Sequence, residues 1–188
     1  RIARGPLPFD AIRCPVMLSV ETDIAAPWPD ATDWSALARR MVAAALAQTP
    51  HAPLADAAPL VEVAVRLTSD AEVQTLNRDY RGKDKATNVL SFPQYEPDDF
   101  AMLAATDDGE ILVGDIVMAL ETCVREAQER SVTLADHAAH LIVHGTLHLL
   151  GYDHLDEVSG DAMESLETKI LASVGLADPY ADGEILPE

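Results

Sequence analysis

Between Thr133 and Leu150 the chain reads TLADHAAHLIVHGTLHLL. Thr133 offers a hydroxyl that can accept from the first free N–H groups of a helix. Beyond it Leu134, Ala138, Ala139, Leu141, Ile142, Val143, Leu147, Leu149 and Leu150 cover most sides of that helix. A helix without a wide polar face belongs at the centre of a molecule, with other elements packed around it. Its polar side chains leave water with it and need partners there.

The rest of the chain supplies the packing. Residues 61–67, VEVAVRL, alternate, with Val61, Val63, Val65 and Leu67 on one face, and read as a strand. Shorter strands are read over 15–20, 87–93 and 111–120, the last running into a helix that ends near 130. The 111–120 strand follows a DDG turn signal. It is expected to pair antiparallel with 87–93 across a polar, acidic connection. Asp33 can cap a helix over 33–48. Ser69 and Glu72 have capping-box spacing, which predicts a helix over 69–78 with Val73 and Leu76 buried. A last helix begins at Asp156 or Glu157, turns Met163, Leu166, Ile170 and Val174 inward, and ends at Gly175. Residues 49–59 read as a Pro/Ala loop. The sum is an α+β fold: a single domain over 15–177, with a small mixed sheet of about four strands, packed helices and the histidine helix at the centre. Residues 1–14 read as an N-terminal extension and 178–188 as an acidic tail.

Composition agrees. The 188 residues are 48% hydrophobic and 24% charged, which suits one domain with a real core rather than a disordered chain. No run of about 18 apolar residues occurs, so no membrane-spanning helix is expected. The proline-broken start lacks the apolar stretch of a signal peptide. Cys14 and Cys123 lie far apart without CxxC spacing. A disulfide framework is not expected, and the chain reads as cytoplasmic. The net charge of −19 argues against nucleic acid as a partner, because phosphate contacts need Lys and Arg. The basic residues are unevenly spread, however. Arg78, Arg81, Lys83 and Lys85 fall within NRDYRGKDK at 77–85, whereas Lys169 alone faces nine acids beyond His154. A locally positive site on an acidic molecule is the expectation.

His144, His148 and His154 fall within eleven residues, HGTLHLLGYDH. Positions i and i+4 share a helix face, so His144 and His148 can point at one ion. Gly151 can end the helix in a left-handed turn that brings His154 back to the same point. Three neutral imidazoles and an open position make a catalytic zinc arrangement. Asp153 reads either as a turn residue or as the acceptor that orients a ligand histidine. His137 and His140 read as satisfied core histidines, and His140 also as a partner of the ligand set. The spacing resembles the HExxHxxGxxH of metzincin proteases, with one departure. Gly145 stands where those enzymes carry the glutamate base. A glycine inside a helix costs about 1 kcal/mol relative to alanine, so something bulky is expected to approach the backbone there, a neighbouring element or the substrate.

The same HGTLHLLGYDH resembles the signature of the YbeY family, bacterial metal-dependent endoribonucleases also called rRNA maturation factors. LNRDYRGKDKATNVLSFP at 76–93 and GDIVMA at 114–119 resemble two further family blocks, in the family's order. The resemblance implies one zinc ion per chain on His144, His148 and His154, and a functional arginine at Arg81. It implies single-strand-acting cleavage in maturation of the small-subunit rRNA 3′ end and in ribosome quality control. RNA, and the small ribosomal subunit or one of its proteins, would be the partners. A planar guanidinium at Arg81 can hold a phosphate through two parallel bonds. Arg78, Lys83 and Lys85 could extend that contact along the backbone. Two other functions remain open on these residues: a ribosome-associated binding factor with a structural zinc, and a metallohydrolase of another substrate, peptides included.

Overall fold

The computed structural model describes residues 18–57, 59–106, 109–154 and 156–181. The extension expected over 1–14, Cys14 and the tail residues 182–188 lie outside them. The sheet holds four strands, β1 (Leu18–Ile24), β2 (Leu60–Thr68), β3 (Val89–Pro93) and β4 (Glu110–Ala119), in the order β1-β2-β4-β3. β1, β2 and β4 run parallel, and β3 joins β4 antiparallel at the edge. The mixed sheet and the β3–β4 pairing are as expected. Of the strand read over 15–20, residues 18–20 are described and lie in β1, which runs on to Ile24; residues 15–17 lie outside the described residues.

The alternation of β2 decides which face is covered. Val61, Val63, Val65 and Leu67 are at most 1% exposed and join one core with α1 (Trp34–Ala47) and the histidine helix. On the opposite face α2 (Asp70–Arg81) lays Val73 and Leu76 over Leu90, Val117 and Ala119. The histidine helix, α5 (Leu134–Leu149), packs against α1, α4 (Leu120–Glu129), α6 (Glu157–Ser173), β3 and β4, and so is central. The Thr133 hydroxyl caps it, accepting from the Asp136 N–H at 3.0 Å. Where α5 crosses the sheet, a Cβ on Gly145 would lie 3.1 Å from Ile116 Cγ2 and 3.2 Å from Ser91 Oγ. The bulk that approaches the helix backbone is therefore the sheet.

Several local expectations are corrected. The capping box of Ser69 and Glu72 does not form. Ser69 makes no side-chain cap bond, and Glu72 instead accepts from Arg66 Nε at 2.8 Å and Thr68 Oγ1 at 2.6 Å. The α2 terminus is capped from α4: Glu121 Oε2 accepts from the Asp70 N–H at 2.8 Å. The Asp70 carboxylate in turn accepts from the Thr122 N–H and hydroxyl, each at 2.9 Å. Two helix N-termini cap each other, through residues too far apart in sequence for a local motif to reveal. α2 also runs past residue 78 to Arg81, which places that arginine in the last helical turn. The loop read over 49–59 contains a 3-10 helix, Ala52–Asp56. The connection after β3 contains a 3-10 turn, Pro97–Asp99, and the short helix α3 (Phe100–Ala104). Phe100 anchors it, 1% exposed, with its ring edge-on to His51 at 5.1 Å. Among the described residues Cys123 is the free cysteine, and burial pushes its thiol pKa well up.

Candidate metal centre and catalytic cleft

His144 and His148 lie one turn apart on α5, with Nε2 atoms 3.0 Å from each other and ring centroids at 4.5 Å. The chain turns at Gly151, whose φ of +87° few other residues adopt. A Cβ there would stand 2.0 Å from Pro97 Cγ, so the turn admits no side chain. The turn returns His154 to the pair, its ring 5.6 Å from His144 and 5.0 Å from His148. One ligand atom from each of the three lies within 4.8 Å of the others. Nitrogens bound at about 2.0–2.1 Å to a tetrahedral ion stand roughly 3.3 Å apart, close to the separation within this pair.

The partners of each ring set its bare nitrogen. Glu167, on α6, is 0% exposed and accepts from His144 Nδ1 at 2.8 Å, which leaves His144 Nε2 unprotonated toward the triad. Its second oxygen accepts from His140 Nε2 at 2.7 Å and from the Tyr180 hydroxyl. Burial alone would raise the carboxyl pKa, but the bonds from His140 and His144 outweigh it and hold Glu167 at about 2. Burial, then the neighbouring His144 and His154, lower His148 to about 4, so its ring is neutral at pH 7 and able to ligate. Burial also lowers His140. With Nε2 bare on both rings, a cation between His144 and His148 would relieve the repulsion of two lone pairs at 3.0 Å. The three donors therefore fit a first-row dication.

The triad opens into a cleft of about 650 Å³ along the β3 edge. Its walls are Tyr80 and Arg81 at the end of α2, residues 87–93, His144 and His148 of α5, and residues 151–154 of the turn. Of the residues singled out from sequence, His144, His148, His154, Arg81 and Asp153 thus meet in one place. Arg78, Lys83 and Lys85 stand outside the lining, and Arg78 pairs with Asp79 at 2.8 Å. Asp153 serves the turn, accepting from the His154 backbone N–H at 2.8 Å. His140 reaches the triad through Glu167. The lining holds one cation, Arg81, and one carboxylate, Asp153, which cancel. A bound dication would supply the locally positive charge.

Sequence reasoning missed three groups. Glu167 lies four residues after the inward Met163 and three before the inward Ile170, and an acid on a buried stripe was the available signal. Glu126 on α4 has the same character. It is 7% exposed, and accepts from His137 at 2.8 Å and from Asn88, at the head of β3, at 3.0 Å. His137 and His140 thus both have core partners. Tyr80 continues the stripe of Val73 and Leu76 but overhangs the sheet. The residue is 72% exposed, with its ring edge-on to Phe92 at 5.3 Å.

Comparison with known proteins agrees. The family model described as Endoribonuclease YbeY matches residues 25–175. A relative in Sphingopyxis alaskensis named Endoribonuclease YbeY is 71% identical over 88% of this chain and 99% of its own. One of the same name in Rhizorhabdus wittichii is 54% identical over 88% and 98%. A solution structure of a Thermotoga maritima protein, 21% identical, covers 89% of this chain and all of its own at a TM-score of 0.50, a likeness of fold.

Proposed function

Because the chain belongs to the Endoribonuclease YbeY family, we propose that it is a metal-dependent endoribonuclease that cuts single-stranded RNA, with zinc on His144, His148 and His154. The small-subunit rRNA 3′ end is its substrate in this reading, the ribosomal small subunit or one of its proteins its partner, and the cytoplasm its place of action. Among the described residues no helix is long and apolar enough to cross a membrane. The domain read over 15–177 holds Arg81 and the three histidines.

The observation that carries this reading is that Arg81 and the three histidines line one cleft. When bound, the ion would supply Lewis acidity and a water whose pKa is lowered to about 7. Arg81 clamps the scissile phosphodiester through two N–H groups and balances the charge that grows on its oxygens. Glu167 keeps His144 in the ligating tautomer, with His140 behind it. Asp153 holds the turn that carries His154. Tyr80 offers an exposed ring face beside Arg81 on which an unpaired base can stack. Arg78, Lys83 and Lys85 lie beyond the cleft, where a longer strand would pass. Gly145 faces the sheet, so a protease-type glutamate has no room there.

The test uses purified protein loaded with zinc and a single-stranded rRNA fragment. Wild type cleaves it, and His148→Ala and Arg81→Ala do not. Equal cleavage by all three would mean a contaminating nuclease and end this reading.

A further inference from the structure

After α6 the chain folds back over the histidine network. Arg40 Nη2 donates to the Val174 carbonyl at 2.5 Å, and the Leu176 N–H bonds to the Leu171 carbonyl at 3.0 Å. Asp178 Oδ1 then accepts from Thr168 Oγ1 on α6 and from the Tyr180 N–H, each at 3.0 Å. These contacts lay the Tyr180 ring edge-on to His140 at 5.4 Å. Its hydroxyl bonds Glu167 Oε2 and lies 3.2 Å from His140 Nε2.

The position of that hydroxyl matters because of what Glu167 does. The carboxylate has one oxygen on His144 and one on the opposite side of the group. A buried carboxylate held by one donor per oxygen can still rock about its own axis. A third donor on Oε2 removes that freedom, and with it the freedom of Oε1 to swing off His144 Nδ1. The segment also walls a second cavity, about 440 Å³, whose lining includes His137 and His140. With the segment in place, Glu167 is closed off from water at 0% exposure.

We propose that Tyr180 is a positioning residue for the metal centre: its hydroxyl fixes Glu167, Glu167 fixes the His144 ring, and retention of the ion depends on the docked segment 176–181. This rests on the reading that the three histidines hold a metal. The boundary expected at 177 then falls inside the working unit, because a residue beyond it completes the site.

The experiment measures release of zinc from the loaded protein to a chromophoric chelator, together with the visible spectrum of the cobalt-substituted protein. Tyr180→Phe keeps the ring against His140 and removes only the hydroxyl. It should release zinc about 3- to 10-fold faster, a fraction of the 10- to 100-fold typical when a ligand's own partner is lost. It should also shift the cobalt bands, which a packing defect remote from the ligands would leave in place. Thr168→Val loosens the anchor of Asp178 without touching Glu167 and should give the same acceleration with the hydroxyl intact. Should Tyr180→Phe fail to fold, Thr168→Val alone decides. Wild-type release rates and an unmoved cobalt spectrum in the folded variants overturn the proposal. A folded wild type that retains no zinc instead overturns the metal reading beneath it.

Discussion

Glu167 Oε1 lies 2.8 Å from His144 Nδ1, and this one bond ties the last helix to the first histidine of the triad. The acid is fully buried, held at about pKa 2, and shared with His140 and Tyr180. Glu167→Gln keeps the shape but removes the charge and places an amide where a carboxylate oxygen accepted. Zinc affinity is expected to fall about 10- to 100-fold. Chelator competition measures it, and an unchanged affinity would show that Glu167 does not orient the ligand.

Arg81 and its basic neighbours should separate in kinetics. Arg81 lines the cleft, so Arg81→Ala should lower kcat on single-stranded RNA about 10²- to 10³-fold, as for loss of one transition-state donor. Arg81→Lys should recover little of it, because an ammonium cannot make the paired contact. Arg78→Ala, Lys83→Ala and Lys85→Ala should mainly weaken RNA binding and flatten its salt dependence, by about one unit of slope for each phosphate no longer neutralised. A kcat loss at Lys85 as large as at Arg81 would contradict this division.

Tyr80→Ala should raise KM by about 5- to 100-fold, the range of one base–aromatic stack, with kcat little changed. Tyr80→Phe should behave as wild type. A substrate with an abasic site at the stacked position should bind both proteins alike, and a persistent difference on that substrate would argue against stacking.

Gly151→Ala meets two obstacles, a φ of +87° and the Pro97 ring at 2.0 Å from the added carbon. The turn must move, and His154 moves with it. A stability loss of about 1–3 kcal/mol in chemical denaturation is expected, together with weaker zinc binding. Wild-type zinc affinity in this variant would show that His154 is not held by the turn.

The metal-free protein should lose stability as pH falls below 6.5. His148 has its pKa depressed to about 4, first by burial and then by His144 and His154. The unfolded chain therefore takes up the proton before the folded one. The resulting cost is absent above 6.5, grows as pH falls, and is complete near 4, on the order of 3 kcal/mol. Glu167 acts in the same direction at lower pH: its stabilisation is present above about 4.5 and is lost as pH falls toward 2. His148→Gln in chelator should flatten the upper part of the profile, between pH 6.5 and 4. An identical slope with and without His148 would contradict the assignment.

Periodicity and local motifs carry information only about neighbours along the chain, and they settled what such neighbours can settle. The alternation in 61–67 made a strand. The apolar run at 133–150 required a buried central helix. The i, i+4 pair followed by Gly151 made the triad readable, since a helix face and one turn bring all three rings together. The residues that complete the site were not readable in this way. Glu167 reaches His144 across 23 positions, Glu126 reaches Asn88 across 38, and Tyr180 reaches His140 across 40. In the sequence the two acids stand on buried stripes and the aromatic on a terminal stretch, and nothing there says which distant group each one meets. Gly145 marks the boundary between the two kinds of information. That something bulky comes close was legible from a glycine in a helix. That it is Ile116 and Ser91 of the sheet was decided by packing, because only the tertiary fold determines which surfaces are pressed together and so which polar groups must find each other out of water.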